Sequence, residues 1–131
     1  MRKALIAAGL ALAGCTPSAQ MQASEQAEAR DALAKALAGR TAGAPQDCIN
    51  NNDTDGPQII GSYTILYKPV GRTVWRNDLA AECPALRPYA TLVVEMQGGQ
   101  LCRNDRFRVL EPGSQIPGGY CVFGKFTPYR K

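Results

Sequence analysis

From Cys48 onward the chain is a series of short apolar runs broken by glycine, proline, asparagine and aspartate. That pattern reads as β-strands joined by tight turns. Tyr63-Thr64-Ile65-Leu66-Tyr67 alternates, with Tyr63, Ile65 and Tyr67 on one face. Pro69-Val70-Gly71 turns the chain, and Arg72-Thr73-Val74-Trp75-Arg76 returns as its hairpin partner. Asn77-Asp78 is expected to stop that strand, because both side chains bond readily to nearby backbone. It would then cap one helical turn over Leu79 to Glu82, ended by Cys83-Pro84. Thr91-Leu92-Val93-Val94-Glu95-Met96 is the strongest strand. Gly98-Gly99 is a two-residue hairpin signal that would pair Gln97 with Gln100, Met96 with Leu101 and Glu95 with Cys102. Leu92, Val94, Met96 and Leu101 would then share a core face. Phe107 to Leu110 and Cys121 to Phe126 are further strands, separated by a loop carrying Pro112-Gly113-Ser114 and Pro117-Gly118-Gly119. The expected fold is mainly β: a small bent antiparallel sheet or partly open barrel of about five to six strands.

Residues 16 to 47 follow another pattern, rich in Ala, Gln and Glu and without an aromatic residue. Ser24 to Ala38 favours a helix, with Ser24 as its cap and Gly39 as its end. Its acids precede Lys35 and Arg40, and Asp31 and Lys35 form an i,i+4 pair. Leu33 and Leu37 are its only sizeable apolar side chains, so the helix reads as a solvated Ala-rich stalk with little stripe to bury. Residues 40 to 47 read as a flexible joint.

The first residues are different again. Met1-Arg2-Lys3 places two cations before an uncharged stretch from Ala4 to Leu12. This is the layout of a signal peptide, too short for a ~30 Å hydrocarbon core that needs about 20 apolar residues. Leu12-Ala13-Gly14-Cys15 resembles the lipobox of bacterial lipoproteins. The resemblance implies a diacylglyceryl thioether on Cys15, cleavage after Gly14 and a third, palmitate-type acyl chain on the new amino group. With about 0.8 kcal/mol per buried methylene, three chains hold firmly where one does not. Thr16 after the lipidated cysteine suggests the outer membrane, with the domain facing the periplasm. The chain thus divides into a signal peptide (1–14), a lipidated N-terminus with helical spacer and linker (15–47), and a β domain (48–131).

Composition narrows the chemistry. Net charge is +4, and +2 once Arg2 and Lys3 are removed. That is too mild for a nucleic-acid partner. Of five cysteines, setting Cys15 aside leaves Cys48, Cys83, Cys102 and Cys121. An even set in a small exported domain reads as two disulfides. Their wide spacing argues against structural zinc, which wants close pairs. Four cysteines allow three connectivities; the spacing leans toward Cys48 with Cys83 and Cys102 with Cys121, with a nested Cys48–Cys121 pattern close behind. No histidine is present, which removes the commonest general base and transition-metal ligand.

Few residues suggest a site. Asn51, Asp53 and Asp55, followed by Gly56, match the opening of a calcium loop, but the twelfth position is Ser62 rather than Glu. Turn formation is the simpler reading. Arg-Asn-Asp occurs at 76 to 78 and again at 103 to 105 and reads as a repeated turn device. Arg72, Arg76, Arg103, Arg106 and Arg108 could gather into a basic face, against the ordinary alternative of a solvated sheet face. Trp75 with Tyr63 to Tyr67 could form an aromatic patch, with core packing the simpler reading. No nucleophile has a base beside it, so neither an enzyme nor a bound cofactor is expected.

Cys48-Ile49, Thr64-Ile65-Leu66-Tyr67, Trp75-Arg76-Asn77-Asp78-Leu79, Cys83-Pro84-Ala85-Leu86, Gln100-Leu101-Cys102-Arg103-Asn104-Asp105, Val109-Leu110 and Gly118 to Phe126 together resemble a group of small proteobacterial envelope proteins, a domain of unknown function. The resemblance spans nearly all of 48 to 131, departs at the acidic stretch from Asn51 to Asp55 and in the longer stalk, and implies a four-cysteine framework but no activity. The functional expectation is a membrane-anchored, non-catalytic envelope lipoprotein that binds or braces a protein or glycan. A lysozyme-type hydrolase inhibitor and a calcium-dependent module are the alternatives.

Overall fold

The computed structural model describes residues 18–69 and 71–131. The signal segment and the lipid attachment expected at Cys15 lie outside the described residues. One helix, α1 (Ala19–Ala36), precedes β1 (Thr41–Ala42), β2 (Cys48–Asn50), β3 (Thr54–Ile60), β4 (Thr64–Pro69), β5 (Thr73–Asp78), β6 (Thr91–Val94), β7 (Gln100–Cys102), β8 (Arg106–Leu110), β9 (Tyr120–Val122) and β10 (Phe126–Arg130). The fold is mainly β, as expected, and every pairing is antiparallel. The strands form a five-stranded sheet in the order β1-β10-β5-β4-β3, a β2-β7 ribbon and a β6-β8-β9 sheet, none of them closed into a barrel.

The hairpin read from Tyr63 to Arg76 is present, with Tyr67 opposite Trp75 and Leu66 opposite Arg76. Alternation then sorts its side chains onto two faces. Ile65 and Tyr67 enter the main core, where Ile49 and Leu101 of the ribbon and Phe107, Val109 and Phe123 of the smaller-sheet side meet Ile59 and Phe126. Leu66 and Val74 point the other way, and with Ile60 they meet Ala29, Leu33, Ala36 and Leu37 of the helical segment.

The helix therefore is not a free stalk. It begins at Ala19, before the expected Ser24, because the Ser18 hydroxyl accepts from the Met21 N–H at 3.2 Å. Ala29, Leu33, Ala36 and Leu37 recur at helical spacing, and two alanines let the helix approach closely where two leucines alone looked insufficient. At Gly61, φ is 63° and an added Cβ would come 3.0 Å from the Ala29 Cβ, so the β3–β4 turn and the helix touch there. The segment after the helix is also structured: Thr41 and Ala42 pair with Arg130 and Tyr129. The folded unit thus begins before the boundary expected at 48. Leu33→Asp is expected to cost about 2 kcal/mol in denaturant unfolding, since it places a charge against Ile60 and Leu66. A free stalk would show no change.

Four further expectations are corrected. Asn77 does not end its strand; it is fully buried within β5. Leu79 to Glu82 hold a bend at Ala80 and Ala81 rather than a helical turn. The last strand divides at Phe123, and β10 runs on through Pro128, whose carbonyl accepts from the Gly43 N–H at 2.7 Å. The Gly98-Gly99 turn does not make a hairpin of its flanking strands. Instead β6 pairs with β8, setting Leu92 opposite Val109 and Val94 opposite Phe107, while β7 pairs with β2, setting Leu101 opposite Ile49. Met96, assigned to the core from the hairpin register, is 42% exposed. A glycine turn reverses the chain, but burial decides which strands then pair.

The four domain cysteines form two disulfides, in the one connectivity the spacing did not favour: Cys48 with Cys102 and Cys83 with Cys121. Cys48 and Cys102 face each other across the ribbon. The second bridge carries the loop after β5 to β9, with Cys83 fully buried. Sequence spacing had no access to either pairing, because each bridge follows a tertiary neighbour relation.

Candidate functional site

Where the ribbon meets the β4–β5 end of the large sheet, a cleft of about 550 Å³ opens. Its lining includes Trp75, Arg72, Asn50, Asn52, Gln100 and Gln46. Each is placed by local structure. Thr73 and Trp75 are two apart on β5 and so share a face. Asn50 lies opposite Gln100 across the ribbon, whose pairing the Cys48–Cys102 bridge fixes. Asn50 also caps a short 3-10 turn over Asn51–Asp53, its Oδ1 accepting from the Asn52 N–H at 3.1 Å. Gln46 donates to the Cys48 carbonyl at 2.7 Å. The Arg72 carbonyl accepts from the Arg40 guanidinium, which ties the β4–β5 turn to the end of the helical segment.

The cleft is polar but carries little charge. Among the described residues no carboxylate lines it, and Arg72 is its one cation. The side chains of Asn52 and Gln100 make no hydrogen bond among the described residues, nor does the Arg72 guanidinium. Carboxamides present a donor and an acceptor side by side, so the walls suit a ligand that both gives and receives hydrogen bonds. Trp75 packs one side against the main core and lines the cleft as well.

A second hollow of about 330 Å³ lies past Thr54, lined by Tyr67, Leu92, Val94, Met96, Leu101 and Pro57 among others. Tyr67 is 2% exposed, and its ring meets Phe123 edge-on at 6.4 Å. Burial pushes its phenol above the usual 10.0. The neutral phenol therefore belongs to the folded state. Its contribution to stability is complete below pH 10 and is lost as pH rises further, because the unfolded chain releases the proton first. Tyr67→Phe is expected to flatten the fall in denaturant midpoint between about pH 9 and about pH 11; an unchanged slope would assign the effect to other groups.

The five arginines do not form one basic face. Arg72 stands at the cleft. Arg76 shares the helix-side face with Leu66 and binds Asp78 at 2.9 Å. Burial lowers its pKa, but the hydrogen bond and charge of Asp78, helped by Tyr129, more than offset this and raise it overall. Arg103 lies 4.0 Å from Asp47. Arg106 and Arg108 flank the Tyr120 ring, 4.9 and 5.3 Å from its centroid. Arg106 also pairs with Glu95 at 3.1 Å, and Arg108 donates to the Pro117 and Gly118 carbonyls. Arg108 thus holds the loop before β9, while Arg106 ties the residue that follows β6 to β8. The aromatic patch also divides: Tyr67 and Trp75 turn inward while Tyr63 is 51% exposed. Asn51 and Asp53 lie in the 3-10 turn and Asp55 follows in β3. Among the described residues no group of three or more His, Cys, Asp or Glu side chains could hold a metal ion.

The sequence named Trp75 and Arg72 but missed the carboxamides that face them. The signal was faint: an Asn50-Asn51-Asn52 run and a glutamine on either side of Gly98-Gly99. Only the ribbon pairing brings Asn50 and Gln100 together. Comparison with protein-family models, curated proteins and solved structures finds no match to this chain.

Proposed function

We propose that this chain is a lipid-anchored, non-catalytic binding module of the bacterial envelope, with the Trp75 cleft as its binding site. The cleft carries the reading: it is large enough for a small-molecule or oligomeric ligand, within the range of about 300–1,000 Å³ usual for such sites, and the side chains of Asn52, Gln100 and Arg72 on its walls make no hydrogen bond among the described residues. The two disulfides suit an oxidising compartment outside the cytoplasm. The charged-then-apolar start and the Leu12-Ala13-Gly14-Cys15 sequence support lipidation at Cys15, on an outer membrane facing the periplasm.

Two measurements test this. Cys15→Ala is expected to move the protein from the membrane fraction to the soluble periplasmic fraction; retention in the membrane would refute the anchor. Affinity capture from cross-linked, solubilised envelopes is expected to recover envelope material with the wild type and to lose it with Trp75→Ala. Equal recovery would refute the cleft as the binding site.

A further inference from the structure

We infer that the Trp75 cleft takes a saccharide bearing a carboxylate; this rests on the cleft being the binding site. Vicinal sugar hydroxyls each donate and accept, and a carboxamide offers the matching pair in one plane. Four carboxamides, from Gln46, Asn50, Asn52 and Gln100, line one cleft, together with the threonines Thr54 and Thr73. Gln46 uses its N–H to hold the Cys48 carbonyl, which leaves its Oε1 as an acceptor; Asn50 uses its Oδ1 on the Asn52 N–H, which leaves its amide as a donor. The site thus has both polarities in fixed positions.

Trp75 supplies the complement. An indole ring combines a broad apolar face with one N–H donor, and a pyranose has an apolar C–H face and a hydroxyl rim. Its place on β5, half-buried against the core, restrains the ring at little further entropic cost.

Arg72 selects the charge. Its guanidinium has five donors in a planar fork that matches a carboxylate, and among the described residues it has no ion-pair partner. One cation suits a single carboxylate. A polyphosphate or nucleic-acid ligand would need several. Among the described residues that line the cleft, none is a carboxylate. The shared chemistry, a carboxylate on or beside a sugar ring, occurs in uronic-acid polysaccharides and in peptidoglycan glycan strands with their stem peptides.

The chain has one tryptophan, so intrinsic fluorescence reports the cleft directly. Full-length protein in detergent would be titrated with oligogalacturonate, with its fully methyl-esterified counterpart, and with soluble peptidoglycan fragments. Oligogalacturonate, peptidoglycan fragments or both are expected to change Trp75 emission saturably, which also tells the two sources apart. The acid form is expected to bind at least about tenfold more tightly than the ester, the worth of one charge-assisted hydrogen-bonded contact. Arg72→Gln is expected to remove that difference, and Gln100→Ala to weaken both forms, with far-ultraviolet circular dichroism unchanged. No response to any saccharide at millimolar concentration overturns the inference, as does equal binding of acid and ester. If envelope capture still depends on Trp75 in that case, the cleft stands as a site for another ligand class. If capture is also independent of Trp75, both readings fall.

Discussion

Reduction of both disulfides is expected to unfold the β core at about 37 °C, the usual outcome for small exported domains. Cys48–Cys102 closes a sequence separation of 54 residues and Cys83–Cys121 one of 38. In the chain-entropy model each contributes about 4 kcal/mol by restricting the unfolded chain. Together that rivals the whole stability of a typical domain, about 5–15 kcal/mol. Denaturant midpoints measured with and without reductant check it; a midpoint shifted only slightly would show that the core stands without its bridges. The two bridges should also differ. Cys48→Ser with Cys102→Ser releases a ribbon whose strands already pair, and is expected to blur the cleft by loosening Asn50 and Gln100. Cys83→Ser with Cys121→Ser places a hydroxyl at a fully buried position and is expected to cost more. Peptide mapping of a non-reduced digest identifies the linked pairs directly.

The second large effect is expected at Asn77. Its Nδ2 donates to the Gly124 carbonyl at 2.9 Å and its Oδ1 accepts from the Gly124 N–H at 3.1 Å. A single carboxamide thus satisfies both polar groups of one peptide segment, where β9 has ended and β10 has not begun. Asn77→Ala leaves both unpaired and is expected to cost about 3 kcal/mol, at about 1–3 kcal/mol for each orphaned group. Asn77→Asp keeps the acceptor, loses the donor and adds a charge at a position with no exposure, so it is expected to be worse near neutral pH. Gly124 is the other half of the contact: an added Cβ would overlap the Asp78 carbonyl, and Gly124→Ala is expected to destabilise comparably. Urea denaturation of the three variants checks this, and a loss below about 1 kcal/mol in Asn77→Ala would show that water replaces the side chain.

The two Arg-Asn-Asp tripeptides show what a local reading can and cannot reach. At 103 to 105 the expected turn forms: Asn104 has φ 72°, and the Asp105 carboxylate accepts from the Cys102 N–H at 2.8 Å. At 76 to 78 the same three residues continue a strand, with Asn77 buried and committed to Gly124. Both fates use the carboxamide's and carboxylate's capacity to bond to backbone. Which backbone is within reach depends on the neighbours that the fold supplies. The Gly98-Gly99 turn makes the same point, since β6 and β7 each find a better-burying partner elsewhere.

By itself the sequence determined the mainly β character, the Tyr63 to Arg76 hairpin, the strand at Thr91, the presence of a helix across Ser24 to Ala36, though not its ends, and the pairing of the domain cysteines as disulfides. These are local or compositional properties: alternation, propensity, turn chemistry and an even count. The tertiary structure alone decided the connectivity of those cysteines, the docking of α1 on Ile60, Leu66 and Val74, the burial of Asn77, and the meeting of Asn50, Gln100, Arg72 and Trp75 around one cleft. Each requires residues far apart in the chain to become neighbours. That choice follows from which pairings bury the most apolar surface without leaving backbone groups unpaired, and no local window of the sequence contains it.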